Sequence, residues 1–178
     1  MLIAEQLAVC GTKLIVGLAS AGRLDSRMPL PAVVLADEAI RDEGTSYHYL
    51  PPSDTVRATP EVLPVLEKSL GEVGLPLRRG LVWTTDAPYR ETADQMQRYA
   101  DKGALAVEMQ AASLFAFGQR CRIPVGLVAH VTNAPDHEGE PFDKGPVDVD
   151  IELLRAINRA AREWLSGDTR ANSHGTYG

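Results

Sequence analysis

Hydroxyls, an amide and a carboxylate gather at the ends of apolar runs in the middle of this sequence. The run Leu77–Trp83 breaks into Thr84-Thr85-Asp86, followed closely by Tyr89 and Arg90. The run Val125–Val131 breaks into Thr132-Asn133. Between them, ALAVEMQAASL at Ala104–Leu114 carries Glu108 and Gln110 on either side of Met109. A further apolar run, Lys13–Leu18, ends in Ala19-Ser20-Ala21-Gly22, where small side chains let backbone approach a ligand closely. Polar groups at the ends of buried strands are where α/β proteins commonly bind small molecules. Such groups can hydrogen-bond a polar ligand, and a carboxylate can offset positive charge that develops on it.

Each residue also has a plainer reading. Glu108 can be a paired core carboxylate, since a buried Glu is rarely left alone. Met109 can be ordinary core, Asn133 can cap a strand end, and Ser20 to Gly22 can be a tight turn. Asp86 and Arg90 can pair with each other as scaffold. His130 can point into the site or be a satisfied scaffold residue. The four histidines show no metal-ligand spacing. No Ser-His-Asp or Cys-His arrangement follows from sequence order, and the glycines form no P-loop or dinucleotide fingerprint.

The elements that must position these residues alternate between strand and helix. Ile3–Cys10 reads as a helix closed by Gly11. Strands follow at Lys13–Leu18 and Ala32–Ala36, then a polar excursion, RDEGTSYHYL, at Arg41–Leu50. Thr59-Pro60 has the form of a helix start, with Thr59 as N-cap and an inward face at Val62, Val65, Leu66 and Leu70. After the strand Leu77–Trp83 come a polar helix at Thr92–Lys102, a short strand at Ala104–Val107 and an Ala- and Phe-rich helix at Gln110–Arg120. Val125–Val131 is a strand, and Asn133–Pro146 a Gly-, Pro- and acid-rich loop. The last helix, Val149–Leu165, is expected to turn Ile151, Leu154, Ile157, Ala161 and Leu165 inward. Buried strands alternating with helices mean an α/β fold, its central sheet covered on both faces.

At 178 residues the chain is long enough for one domain with a sizeable core, expected over residues 1–166 with a disordered tail at 167–178. A net charge of −6 leaves no basic footprint and argues against nucleic acid as a partner. No apolar run reaches the roughly 20 residues of a membrane span, and Met1-Leu2-Ile3 leads into Glu5 without a basic segment, so neither membrane nor leader is expected. Cys10 and Cys121 sit among apolar residues and are expected as buried free thiols, as suits a reducing cytoplasm.

TTDAPYRE at Thr84–Glu91 and ALAVEMQAASL at Ala104–Leu114, in that order and spacing, resemble the purine/uridine phosphorylase superfamily. The likeness extends more loosely from about Glu5 to Leu165. It implies a three-layer αβα fold around a twisted mixed sheet, and cleavage of the N-glycosidic bond of a ribonucleoside. Cleavage builds positive charge on the ribose, which Glu108 would offset. Met109 would lie along the sugar, and Gln110 would hold its hydroxyls where the family has a second glutamate. Thr84, Thr85, Asp86, Tyr89 and Arg90 would line the base side, with Pro88 near the position of a stacking phenylalanine. Asn133 stands where purine-specific members place a proton-donating aspartate; an amide can bond a base edge but delivers no proton, so uridine-type recognition is expected.

Ser20 and Gly22 match the phosphate-binding strand end, with Gly17 in the place of an arginine and Ala19 in that of a glycine. The resemblance thus implies a nucleoside and inorganic phosphate as ligands, no other cofactor, and ribose 1-phosphate as product. Hydrolysis by water, or binding without turnover, are the alternatives. In this alignment Met1 falls near the helix before the phosphate-binding strand, so the family's opening strand, glycine loop and arginines are expected to lie outside this sequence. An uncovered sheet edge would then favour a homo-oligomer.

Overall fold

The computed structural model of the chain describes residues 1–134 and 145–173, the side chains of 168–173 excepted. Most of the acid-rich loop expected at Asn133–Pro146 lies outside the described residues. Six strands form one sheet: β1 (Ile15–Arg23), β2 (Ala32–Asp42), β3 (Thr55–Arg57), β4 (Leu77–Thr85), β5 (Ala106–Glu108) and β6 (Val125–Asn133). Among the described residues five α-helices accompany them: α1 (Leu2–Val9), α2 (Leu63–Leu70), α3 (Ala93–Asp101), α4 (Ala111–Cys121) and α5 (Val149–Ser173).

The strand order is β3-β2-β4-β5-β1-β6, with mixed directions, and β2 also pairs antiparallel with β6, so the sheet curls round and closes on itself. Strand β6, apolar along nearly its whole length, is buried between β1 and β2. Two of its neighbouring residues show that both faces are covered. A side chain on Gly118 of α4 would strike Val125, whereas one on Gly126 would strike Leu66 of α2. Successive strand residues face opposite ways, so α4 and α2 lie on opposite faces. The main core joins Val33, Leu35, Leu66, Phe115, Leu127 and Leu153. A smaller cluster holds Ile40, Trp83, Tyr99 and Val107, with Trp83 Nε1 donating to Asp42 Oδ2 at 2.9 Å.

Several sequence expectations shift. Thr59 makes no cap bond; its Oγ1 accepts the N–H of Val125 at 3.0 Å, tying the start of a 3-10 turn (Pro60–Val62) to β6. Thr92 does cap α3, in a reciprocal pair with Gln95. The inward face of α5 is Val149, Leu153, Ala156 and Ala160, while Ile151, Leu154 and Leu165 are exposed. The small alanines let α5 lie close, and the flanking pairs Lys68–Glu163 (3.0 Å) and Arg159–Glu72 (3.2 Å) hold it to the α2 segment. The same helix runs past Gly167 into the expected tail, as far as Ser173. Cys10 and Cys121 are free but exposed, not buried, because both fall at the ends of their helices. Among the described residues no helix is long and apolar enough to cross a membrane.

The close contact of α4 with β6 gives a stability prediction. A Cβ on Gly118 would sit 2.5 Å from Val125 Cγ2 and 2.8 Å from the carbonyl oxygen of Ile123, which cannot yield freely. Gly118→Ala should therefore destabilise the fold by about 1–3 kcal/mol, the usual range for overpacking, despite alanine's better helix propensity. Urea unfolding is the check; an unchanged or raised midpoint would contradict this packing.

Candidate active site

Four strand ends meet at one edge of the sheet. Gly22 of β1 pairs with Val107 of β5 on one side and with Asn133 of β6 on the other, and Thr84 of β4 pairs with Glu108. A bulge between Ala21 and Gly22 keeps β1 paired to β6 as the strands diverge.

Glu108 is 3% exposed, and both its oxygens are engaged by the protein. Thr84 Oγ1 donates to Oε1 at 2.5 Å, while the N–H groups of Gln110 and Ala111 donate to Oε2 at 2.6 and 2.9 Å. Thr84 Oγ1 also accepts the N–H of Ala112 at 3.0 Å. These N–H groups open α4 and have no partner within it. The Glu108 carboxylate thus caps α4 and welds it to β4. Burial pushes its carboxyl above the ordinary range; the bonds from Thr84, Gln110 and Ala111 pull it back, and the nearby Glu43 charge adds to the rise. In this geometry Glu108 aims Met109 and Gln110, both exposed, and does not itself reach into open space.

A second carboxylate lies close by, in the segment read from sequence only as an excursion. Glu43 is buried and accepts the N–H of Thr45 at 2.7 Å, that of Ser46 at 2.9 Å and the hydroxyl of Ser113 at 2.8 Å. Buried Arg41 ties down the same loop, donating to Ser46 Oγ, Pro51 O, Ser53 Oγ and Leu50 O. The signal was an acid directly before Gly44-Thr45-Ser46, whose turn exposes N–H groups for it to accept. Thr45, Ser113, Met109 and Gln110 share a groove of about 320 Å³ with Ile3 and Leu7 of α1.

The remaining candidates are spread around this edge. Thr85 Oγ1 accepts the N–H of Ala87 at 3.2 Å, and Asp86, exposed, accepts that of Gly44 at 3.1 Å. Asp86 therefore braces the Glu43 loop, and among the described residues it forms no ion pair with Arg90. Tyr89 and Arg90 stand in solvent on a short 3-10 turn, Tyr89 fully exposed. Asn133 is half-buried and pairs with Gly22 just past the register shift that leaves Thr132 without a partner on β1. Ser20 is exposed and paired in register with His130, on the face of α2 and α5. The edge thus brings together Thr84, Glu108, Gly22 and Asn133 as backbone neighbours, with exposed Ser20 two residues before Gly22 on β1. Among the described residues no group of three His, Cys, Asp or Glu is placed to hold a metal ion.

A family model described as the phosphorylase superfamily matches residues 2–165. The chain belongs to this superfamily. It is 26% identical over 166 residues to a guanosine phosphorylase of Halorubrum lacusprofundi, covering 86% of this chain and 67% of that protein. It is 28% identical over 117 residues to a DeoD-type purine nucleoside phosphorylase of Bacillus cereus, covering 65% and 50%. Among solved structures, a P. knowlesi homologue of the P. falciparum PNP superposes with a TM-score of 0.78 at 21% identity, covering 90% of this chain and 66% of that one. The chain spans 50% to 67% of the length of these curated relatives. The α/β fold, its mixed sheet flanked by helices on both faces, is therefore that of the phosphorylase superfamily.

Glu108 also gives a pH prediction. Its folded-state pKa lies above the ordinary glutamate value of 4.5. Its contribution is thus fully present below that value and is lost as pH rises through the folded-state value. The stability of wild type relative to Glu108→Gln should be greater near pH 4 than near pH 7, by urea unfolding. A difference that is constant, or that shrinks on acidification, would contradict the burial of this charge.

Proposed function

We propose that this phosphorylase-superfamily chain cleaves the N-glycosidic bond of a ribonucleoside. One observation carries the reading: Gly22 pairs with both Val107 and Asn133, so the strand ends matching the family's phosphate, ribose and base positions are neighbours. In this reading Met109 and Gln110, presented outward by Glu108, meet the ribose. Thr84, Thr85 and Asp86 shape the base side through the loop they brace, with Tyr89 and Arg90 as its outer wall. Asn133 bonds the base edge, and Ser20 with Gly22 holds inorganic phosphate, which attacks C1′ to give ribose 1-phosphate.

Asn133 offers one acceptor and two donors, which match the adjacent carbonyl and N–H of uracil. The same edge occurs in guanine, the base named in the Halorubrum relative. Adenine offers an amino group beside a ring nitrogen, which an amide can also pair, but a departing purine base calls for a proton that an amide cannot supply. The proposed order of substrates is uridine first, with the purine nucleosides guanosine, inosine and adenosine after it.

A second reading, with water in place of phosphate, is favoured by the packing at Gly17. A Cβ there would lie 3.0 Å from Leu127 Cδ1 and 3.1 Å from Leu114 Cδ1, so an arginine at the position matching the family's phosphate-binding one would have to push both leucines aside. Losing a guanidinium removes the strongest kind of anion contact, and water needs no cation.

Chromatographic assay of uridine, guanosine, inosine and adenosine, each with and without phosphate, tests both readings. Release of uracil is expected to be fastest, with release of each purine base slower by about 100-fold, the low end for a lost general acid. Adenosine as the best substrate would overturn the role given to Asn133. No base released from any of the four would end the enzymatic reading.

A further inference from the structure

A hollow of about 440 Å³ lies at the opposite end of β1 and β6 from the strand tips described above. The two strands run parallel with Ile15 partnered to Val125, and the Ile15 N–H donates to Pro124 O at 3.0 Å. The connections that lead into them, from α1 to β1 and from α4 to β6, therefore lie side by side. Each reverses through a residue in the left-handed region, Gly11 at φ 80° and Arg122 at φ 56°. The hollow opens at these reversals, with Thr12, Lys13, Cys121, Arg122 and Ile123 in its walls and Trp164 of α5 closing one side. From Ile15 to Gly22 the strand spans roughly 20 Å, so the hollow and the nucleoside edge are separate places.

Its charge is one-sided. The chain has 24 acidic residues against 18 basic ones, yet Lys13 and Arg122 line the hollow and no carboxylate does. Acids on the neighbouring helices are engaged elsewhere: Glu5 accepts the Tyr49 hydroxyl at 2.7 Å, and Glu163 pairs with Lys68. Among the described residues neither the Lys13 nor the Arg122 side chain has a hydrogen-bond or ion-pair partner. A cation at a helix C-terminus can serve the exposed carbonyls there, but here backbone closes both helix ends. The N–H groups of Cys10, Gly11 and Thr12 bond carbonyls of α1, and those of Arg122 and Ile123 bond Gly118 O. Arg122 also holds a conformation that glycine takes freely and arginine does not.

Two cations and the Thr12 hydroxyl supply the charge and the donors that a phosphate monoester dianion calls for. Half-buried Trp164, with Ile123, supplies an apolar wall on which a planar ring can stack. The volume is that of a small-molecule site. We propose that this hollow binds a phosphate monoester carried on a planar ring, the class of a nucleoside monophosphate. The phosphate meets Lys13 and Arg122, and the ring lies on Trp164. This binding stands whether or not the chain cleaves nucleosides.

The test follows amide and indole signals of the isotopically labelled full chain through separate titrations with uridine monophosphate, guanosine monophosphate, uridine and inorganic phosphate. Trp83 is buried in the smaller core cluster, so its indole signal serves as the internal control. With either monophosphate, Gly11, Lys13, Arg122 and the Trp164 indole should shift together, with a dissociation constant of about 1 mM or tighter. Uridine should leave these four in place, and inorganic phosphate should bind about tenfold more weakly for want of a ring to stack. Lys13→Ala and Arg122→Gly change exposed side chains, and glycine suits the backbone at 122. Each should weaken monophosphate binding by about tenfold, as for one lost bond to a charged group. No saturable shift at the four positions would overturn the proposal, as would affinities unchanged in both variants. Equal shifts with uridine, or inorganic phosphate binding as tightly as the monophosphates (an adventitious ion only), would overturn it too.

Discussion

A carboxylate lodged under the first turn of α4 determines how this chain presents its strand ends. Strand β5 is only Ala106–Glu108, too short to hold its place by backbone pairing alone. The Glu108 side chain completes it, bonding Thr84 on β4 and two N–H groups of α4. An anion at a helix N-terminus gains up to roughly 2 kcal/mol when partly buried, and each charge-assisted bond adds to that. The raised Glu108 pKa means that desolvation outweighs these gains. A charge at this position is therefore costly, and the side chain fixes where Met109 and Gln110 emerge.

The rest of the edge is built from similar ties between distant segments. Asp86 reaches the N–H of Gly44, and Glu43 reaches Ser113 on α4, so three separate stretches are clamped around one helix start. The closed sheet beneath them allows this. Strand β2 pairs with both β4 and β6 and so is held on two sides. The strands thereby fix where the short segments that carry Glu43 and Asp86 begin.

Among the described residues, five of the six strands and the two motif segments were legible in the sequence as apolar runs, whereas three-residue β3 (Thr55–Arg57) and the order of strands in the sheet were not. Their ends were less so: β2 continues to Asp42 through Asp37, Glu38 and Arg41, whose charges disguise a strand. The face of α5 was misread because its inward residues are largely alanines, while larger Ile151 and Leu154 point out. Glu108 stood out as a buried carboxylate, but nothing in its spacing showed that helix N–H groups would occupy it. Glu43 and the His130–Asp150 pair were invisible for a related reason. Their partners come from other elements, Ser113 on α4 and Asp150 on α5, and only the folded register brings them together.

The likeness to the phosphorylase superfamily and the local geometry bear on different things. Membership accounts for the sheet and the order of the motifs; the side chains at the edge, with Gln110, Asn133 and Gly17 in place of more usual residues, are this chain's own. What joins the two is the claim that the ends of β1, β5 and β6 form one nucleoside site. Amide chemical shifts of the isotopically labelled protein, followed through a titration with uridine or guanosine, address it directly. The account predicts that Gly22, Met109, Gln110 and Asn133 shift together with a single dissociation constant. Saturable binding that leaves these four unmoved while others respond would contradict it.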